Sequence, residues 1–202
     1  REISLFNWGS FADLHTAHID PNGTLITGDN GAGKSTLVDG LMALLMPPSR
    51  ANFNIAAAQN DKADRTILSY MRGSYGQEHD GTTTATKSKR SQKVVTGLRA
   101  YYRQDNGNDI TLIALFWADN TATSASDVKR LYLVANRDVK LKTVLAEFDE
   151  KYDRTFKTWL ESQHIKHMTT FDEYQKLYQE ILHLNNKNAP ALLSRALGLK
   201  KI

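Results

Sequence analysis

Residues 28–36 read Gly-Asp-Asn-Gly-Ala-Gly-Lys-Ser-Thr, a stretch that matches the phosphate-loop pattern G-x-x-x-x-G-K-[ST]. In such a loop the glycines let successive backbone N–H groups point at one phosphate. The lysine supplies positive charge to the β- and γ-phosphates of ATP, and the hydroxyl that follows it can bind Mg²⁺. We therefore expect Ser35 to be the Mg²⁺ ligand and Lys34 to be the one residue here with a part in catalysis. The nucleotide is expected to contact Asn30, Gly31, Ala32, Gly33, Lys34, Ser35 and Thr36.

The segments on either side of this loop are those that a phosphate site requires. Residues 24–27 (Thr-Leu-Ile-Thr) predict a short strand, and residues 36–46 predict a helix that ends before the proline pair at 47–48. A strand, a glycine loop and a helix in this order place a bound phosphate at a helix N-terminus. This context argues against the alternative, a glycine-rich turn that binds nothing.

Length and composition describe an ordinary globular unit. With 202 residues, of which 41% are hydrophobic and 24% charged, the chain suits one domain or one lobe of a larger assembly. No apolar run approaches the length of a membrane-spanning helix, so no membrane partner is expected. The absence of cysteine excludes disulfides and fits a cytoplasmic location. The net charge of +4 permits a nucleic-acid partner without requiring one.

The chain divides into four blocks, which we treat as parts of one lobe over residues 1–202. These blocks are a phosphate-loop core at 1–75, a polar and mobile loop at 76–93, a β-rich block at 94–136 and a helical region at 137–202. Alternating or continuous apolar runs predict the other strands, at 3–6, 16–19, 94–103, 110–117 and 130–135. Helical spacing and capping signals predict the other helices, at 65–71, from 142 onward, from a capping box at Thr170 and Glu173, and at 190–198.

Four stretches of the sequence resemble a known family. Residues 30–41 are similar to the ATPase heads of SMC and SMC-like proteins, which typically read N-G-x-G-K-S-x-h-h-D-x-h, where h is an apolar residue. Residues 5–11 (Leu-Phe-Asn-Trp-Gly-Ser-Phe) resemble the first strand of MukB-like bacterial condensins. Residues 48–54 and 64–73 resemble the JetC family of Wadjet plasmid-defence systems and the related MksB-type condensins.

This resemblance implies a fold and a function. The fold would be α/β, the N-terminal lobe of an ABC-type P-loop NTPase head, with a mixed β-sheet and flanking helices leading to a coiled coil. The function would be ATP binding, with Mg²⁺, as half of a composite ATPase that drives DNA loop extrusion in a Wadjet anti-plasmid complex. The chain alone would be inactive, because the C-terminal lobe supplies the Walker B Asp-Glu and the signature motif. The implied partners are that lobe of the same protein, a second head in a homodimer, kleisin and winged-helix (KITE) subunits, DNA and a nuclease subunit.

Three alternatives stay open at this stage. A MukB- or MksB-type condensin that segregates chromosomes would share the head and bind nucleoid rather than plasmid DNA. An SMC-like or RecF-like DNA-repair ATPase would also share the head. A small-molecule kinase would share only the phosphate loop, and it should carry an arginine-bearing lid that we do not find in the sequence.

Several other residues have both a functional and a structural interpretation. A basic cluster in the polar block either contacts the DNA backbone or merely keeps the loop solvated; it consists of Lys87, Lys89, Arg90 and Lys93. Asp119 ends an apolar strand as a Walker B residue would, but Asn120 follows it where a catalytic Glu is expected, which favours a turn residue. Trp8 either stacks on adenine or packs against the sheet. The family also places arginines and a glutamine near the nucleotide, for which the candidates are Arg50, Arg65, Arg72, Gln59, Gln163 and Gln179.

Overall fold

The computed structural model describes residues 1–47, 66–80, 83–104 and 107–184, with the backbone alone for 75–80 and 83–86. Its strands are β1 (Glu2–Trp8), β2 (Phe11–His18), β3 (Ser74–Asp80), β4 (Thr83–Ser88), β5 (Val94–Arg103), β6 (Asp109–Ala118), β7 (Lys129–Ala135) and β8 (Lys166–Met168). Its helices are α1 (Lys34–Leu45), α2 (Ile67–Arg72), α3 (Leu141–Phe148), α4 (Arg154–Ser162) and α5 (Phe171–Ile181). None of these described helices combines the length and the apolar character that crossing a membrane requires.

Six of the strands form one sheet, in the order β2-β1-β5-β6-β7-β8, while β3 and β4 pair with each other. The predicted α/β class is confirmed. We expected a mixed sheet, but all of its described strands pair in the antiparallel direction. Only two residues connect β1 to β2, and a connection this short can only reverse the chain direction.

The centre of the sheet is buried on both faces. Side chains of a strand alternate between the two faces, so Phe116 of β6 packs into a cluster with α1, α2 and α5, whereas Leu115 and Trp117 pack into a second cluster with α3 and α4. Because helices cover both faces, β6 needs apolar side chains at nearly every position. This explains the continuous apolar run that predicted the strand.

The predictions for the β-rich block and for the last described helix are confirmed. β5 has the predicted bounds, β6 extends one residue beyond the prediction at each end, and β7 begins one residue earlier than predicted. α5 begins at the predicted capping box: the backbone N–H of Glu173 donates to Thr170 Oγ1 at 3.4 Å, and the Thr170 hydroxyl donates to Glu173 Oε2 at 2.7 Å. The helix predicted at 190–198 lies outside the described residues.

The strand predicted at 24–27 is wrong. No described strand pairs with this segment, and the side chains of Leu25 and Ile26 are 87% and 42% exposed. A strand is stabilised by hydrogen bonds to a neighbouring strand. Strand-forming side chains alone do not supply that neighbour.

The prediction of a loop at 76–93 is also wrong, because much of this segment forms strands. β3 and β4 pair as a hairpin, from Ser74 opposite Ser88 to Asp80 opposite Thr83. Residues 83–86 are Thr-Thr-Ala-Thr, and β-branched threonines favour strands. Because these residues are polar, apolar periodicity does not predict the strand that they form.

Candidate functional site

The phosphate loop forms one wall of a cavity of about 370 Å³. This volume falls within the roughly 300–1,000 Å³ that small-molecule sites occupy. A second wall comes from the β1–β2 turn, the C-terminal end of α2 and the residue that follows β4. The lining residues are Gly9, Ser10, Asn30, Gly31, Ala32, Gly33, Lys34, Ser35, Thr36, Ser69, Tyr70, Gly73, Ser74 and Lys89. All seven residues predicted to contact nucleotide are therefore brought together here.

The N-terminus of α1 opens into this cavity without a side-chain cap. Gly33 is the N-cap residue with φ of 92°, a conformation that residues with a Cβ rarely adopt, and no described side chain caps the first turn. The first turn also contains no acidic residue. Unpaired N–H groups and the positive end of the helix dipole are thus left to attract an anion.

Lys34 begins α1 at the end of the helix where a positive charge is unfavourable. Its ammonium donates hydrogen bonds to the backbone carbonyls of Gly28 and of Asp29, the latter at 2.8 Å. A lysine that stands at the unfavourable end of a helix and folds over a glycine loop is typical of a functional site. Phosphate oxygens would be stronger acceptors for this ammonium than the two carbonyls are.

The residues present fit a magnesium ion that arrives with phosphates. Ser35 lies on the first turn of α1 and lines the cavity. Within the described ranges no group of three His, Asp or Glu side chains lies close enough to hold a metal by itself. Mg²⁺ commonly takes one or two protein ligands and completes its shell with substrate phosphates and water.

Trp8 packs in the core, as its structural interpretation predicted. Its ring is fully buried and stacks on Tyr70, with 4.5 Å between the ring centroids. Its Nε1–H donates to the backbone carbonyl of Thr36 at 2.9 Å, which ties β1 to the first turn of α1.

Sequence reasoning missed the second wall of the site. Gly9 has φ of +57°, and a Cβ there would lie 2.5 Å from Thr36 Cγ2, so the chain needs glycine at this turn. The Gly9 N–H donates to the Tyr70 carbonyl at 2.8 Å, and the Tyr70 hydroxyl donates to the buried carboxylate of Asp39. No local pattern relates residues 9, 39 and 70, because their contact depends on tertiary packing alone.

Arg90, one of the four cations predicted to contact DNA, holds the second wall together. Its guanidinium donates to the backbone carbonyls of Met71 at 2.7 Å, Gly9 at 2.9 Å and Tyr70 at 3.3 Å. Burial lowers the pKa of Arg90, and the charge of Asp13 raises it in part. Arg90 therefore serves as a positioning residue between α2 and the β1–β2 turn.

The three lysines of the basic cluster have separate surroundings. Lys93 Nζ lies 2.8 Å from a carboxylate oxygen of Glu150, whereas Lys87 is exposed on β4. Lys89 lines the cavity, with its ammonium 3.4 Å from the Ser10 carbonyl oxygen. A shared DNA-contacting surface for these residues stays a prediction.

The other candidates lie away from the cavity or outside the described residues. Asp119 is in the turn after β6, with a carboxylate oxygen 3.4 Å from Lys129 Nζ, and neither residue lines the cavity. The Arg72 guanidinium donates to the backbone carbonyl of Asp119 at 2.7 Å, so its role is structural. Neither Gln163 nor Gln179 lines the cavity. Outside the described residues lie Arg50, Gln59 and Arg65.

Comparison with known proteins agrees with this site. The family described as P-loop containing region of AAA domain matches residues 1–60, which include the loop and α1. Over 165 residues the chain is 30% identical to the chromosome partition protein MukB of Haemophilus ducreyi, an alignment that covers 79% of this chain and 10% of that protein. The chain thus spans about a tenth of the length of this relative. These similarities confirm the predicted P-loop region and the resemblance to MukB-like proteins.

Proposed function

We propose that this chain binds Mg-ATP in the cavity beside the phosphate loop, as the N-terminal lobe of an SMC-like ATPase head. The observation that carries the proposal is the uncapped N-terminus of α1, which opens with Lys34 into a cavity whose described lining contains no carboxylate. Such a surface favours a polyanion over a neutral or cationic ligand.

The chain's own residues would bind and orient the phosphates. The backbone N–H groups of residues 31–36 would donate to phosphate oxygens, and Lys34 would exchange its carbonyl acceptors for the same oxygens. The Ser35 hydroxyl would be the protein ligand of Mg²⁺, and a bound Mg²⁺ would supply positive charge beside the phosphates. Positioning and electrostatic stabilisation of this kind account for most of phosphoryl-transfer catalysis.

ATP turnover would need residues from a C-terminal lobe of the same protein and from a second head. No described strand ends in an Asp-Glu pair, and Asp119 faces Lys129 rather than the cavity. The exposed apolar side chains of Leu25 and Ile26, on a segment directly before the phosphate loop, support a further strand supplied by that C-terminal lobe. We expect steady-state hydrolysis by residues 1–202 at background level, restored when the C-terminal lobe is added.

At the level of the whole machine we propose loop extrusion on DNA in the cytoplasm. The Wadjet assignment, with kleisin, winged-helix and nuclease partners and plasmid DNA as target, rests on the resemblance at 48–54 and 64–73. The match to a protein described as a chromosome partition protein favours the alternative, a MukB- or MksB-type condensin on the nucleoid. Inactivating Lys34 in the full-length protein separates them: plasmid retention should rise for Wadjet, and chromosome-free cells should appear for the condensin.

DNA binding is proposed for the exposed lysines of the basic cluster. Lys87 and Lys93 are the candidates, because Arg90 is bonded to backbone carbonyls and Lys89 faces the cavity. Replacing both with alanine should reduce the magnitude of the negative slope of log affinity against log salt by roughly 0.9 for each DNA phosphate that the lysines no longer neutralise. An unchanged salt slope would contradict a role of these lysines in DNA binding.

The direct test of the proposed function is a Mg-ATP titration of the folded chain. Calorimetry or a fluorescent ATP analogue should show one saturable site, and Lys34→Ala should weaken it. Binding that is absent from the wild-type chain, or equal in the variant, would reject the assignment.

A further inference from the structure

The cavity contains a second cation besides the lysine of the phosphate loop. Lys34 and Lys89 are the charged residues of its described lining, and they come from segments that are distant in sequence. Among these described lining residues there is no carboxylate to neutralise them. A ligand that enters this space therefore meets positive charge from two separate segments of the chain.

The backbone that carries Lys89 is fixed against the end of α2. Its own N–H donates to the Gly73 carbonyl at 3.4 Å, and the next N–H, that of Arg90, donates to the Arg72 carbonyl at 3.0 Å. The guanidinium of Arg72 donates back to the Arg90 carbonyl at 3.2 Å. These bonds set the direction in which the Lys89 side chain leaves the main chain.

The ammonium of Lys89, in contrast, is weakly held. Its distance of 3.4 Å from the Ser10 carbonyl oxygen is long for a hydrogen bond from a charged donor. In the part of the chain that the structure describes no carboxylate forms an ion pair with it, whereas Lys93, a few residues further on, pairs with Glu150 at 2.8 Å. An ammonium has three donors, so Lys89 keeps capacity to bind an anion.

We propose that Lys89 binds the phosphate groups of the nucleotide together with Lys34, from the second wall of the cavity. This inference rests on the proposed function, because it names a further residue of the same site. It removes Lys89 from the basic cluster that was predicted to contact DNA. A fixed backbone with an uncommitted ammonium lets the side chain move onto a phosphate without any change in the fold.

The test is a Mg-ATP titration of the intact chain in five forms: wild type, Lys34→Ala, Lys89→Ala, Lys89→Arg and Lys87→Ala. Lys89→Ala should weaken binding about three- to tenfold, the size expected for a partly exposed charge-assisted hydrogen bond. Lys89→Arg should retain most of the affinity, because it keeps the charge. Lys87→Ala is the matched control: this lysine is exposed on the same hairpin but does not line the cavity, and its replacement should leave affinity unchanged.

A second measurement needs no substitution. Lysine acetylation of the wild-type chain, read by mass spectrometry, should slow at Lys89 when Mg-ATP is present and proceed unchanged at Lys87. A role in structure alone would not produce this protection. It also keeps the inference testable if Lys89→Ala fails to fold.

The outcomes separate this inference from the proposed function. If the wild-type chain binds Mg-ATP and Lys34→Ala does not, but Lys89→Ala equals wild type, the inference fails and the proposed function stands. Equal reductions of affinity in Lys89→Ala and Lys87→Ala would show a general charge effect and also overturn the inference. If the wild-type chain binds no Mg-ATP, the proposed function fails, and the inference with it.

Discussion

The sheet core and the phosphate loop of this chain are held in their conformations by opposite means. In β6 the side chains of Leu112, Leu115 and Phe116 have no exposed surface, whereas every residue from 20 to 32 is exposed. The core is stabilised by removing apolar surface from water, which is the largest favourable contribution to folding. The loop buries almost no apolar surface. Its conformation depends on the positive φ angles of its glycines, on the backbone carbonyls that accept hydrogen bonds from Lys34, and on contacts with the second wall of the cavity. Stability and the proposed nucleotide binding therefore depend on different parts of the molecule, and substitutions should separate them.

The largest expected effect is on the core. Phe116→Ala should lower the free energy of unfolding by about 3–5 kcal/mol, because it leaves a cavity between the sheet and its helices. Leu25→Ala is the matched control from the loop segment, and it should change stability by less than about 0.5 kcal/mol. Urea unfolding followed by circular dichroism measures both. A comparable destabilisation in Leu25→Ala would mean that the loop segment is packed and that the contrast is wrong.

Lys34→Ala should act in the reverse sense, on binding and not on stability. Removal of its charged hydrogen bonds should weaken Mg-ATP binding by about 2 kcal/mol, or roughly thirtyfold. The free energy of unfolding should stay the same or rise by up to about 1 kcal/mol, since a positive charge leaves the positive end of α1. Calorimetric titration and urea unfolding of the same preparation check the two signs. A variant that loses stability and affinity together would show that Lys34 supports the fold.

Acid should weaken the sheet through Glu2. Its carboxylate lies 2.9 Å from Lys140 Nζ and 2.8 Å from the buried Arg99 Nη1, and these partners, Lys140 first, lower the pKa of Glu2 below its usual 4.5. A carboxylate with a lowered folded-state pKa stabilises the fold above its unfolded-state value and loses that contribution as the pH falls through the folded-state value. The stability of the wild-type chain should therefore decline below about pH 4.5 by about 1 kcal/mol from this group.

Glu2→Gln provides the control for this acid effect. It should be less stable at neutral pH and should lack the Glu2 component of the decline, as measured by urea unfolding at a series of pH values. A decline of equal size in wild type and variant would assign the acid sensitivity to other carboxylates.

The smallest effect is expected at Asp119. Its exposed ion pair with Lys129, at 3.4 Å, is of the kind that contributes little, so Asp119→Asn should shift stability by less than about 0.5 kcal/mol. Mg-ATP affinity should not change, because Asp119 does not line the cavity. If the wild-type chain hydrolyses ATP and Asp119→Asn abolishes that hydrolysis, Asp119 is instead a Walker B residue.

The parts predicted correctly from sequence are those whose physics is local. An apolar run between turn residues defines β5, β6 and β7, since burial on both faces demands such a run whatever the neighbours are. The capping box at Thr170 starts α5 through hydrogen bonds between residues three apart. The phosphate loop is equally local: the glycines and the lysine at fixed spacing contain the information for one wall of the site.

The remaining features depend on which segments meet in space. Residues 24–27 have strand-forming side chains but no described neighbouring strand, and β4 forms despite its polar sequence because β3 pairs with it. The second wall of the cavity joins Gly9, Tyr70 and Arg90 through backbone carbonyls, groups that every residue has and that no sequence pattern marks. The sequence by itself therefore determined the phosphate loop and the core strands. Only the tertiary structure brought Lys89 to the same cavity as Lys34, because the direction of a side chain follows from the hydrogen bonds of its backbone to distant segments.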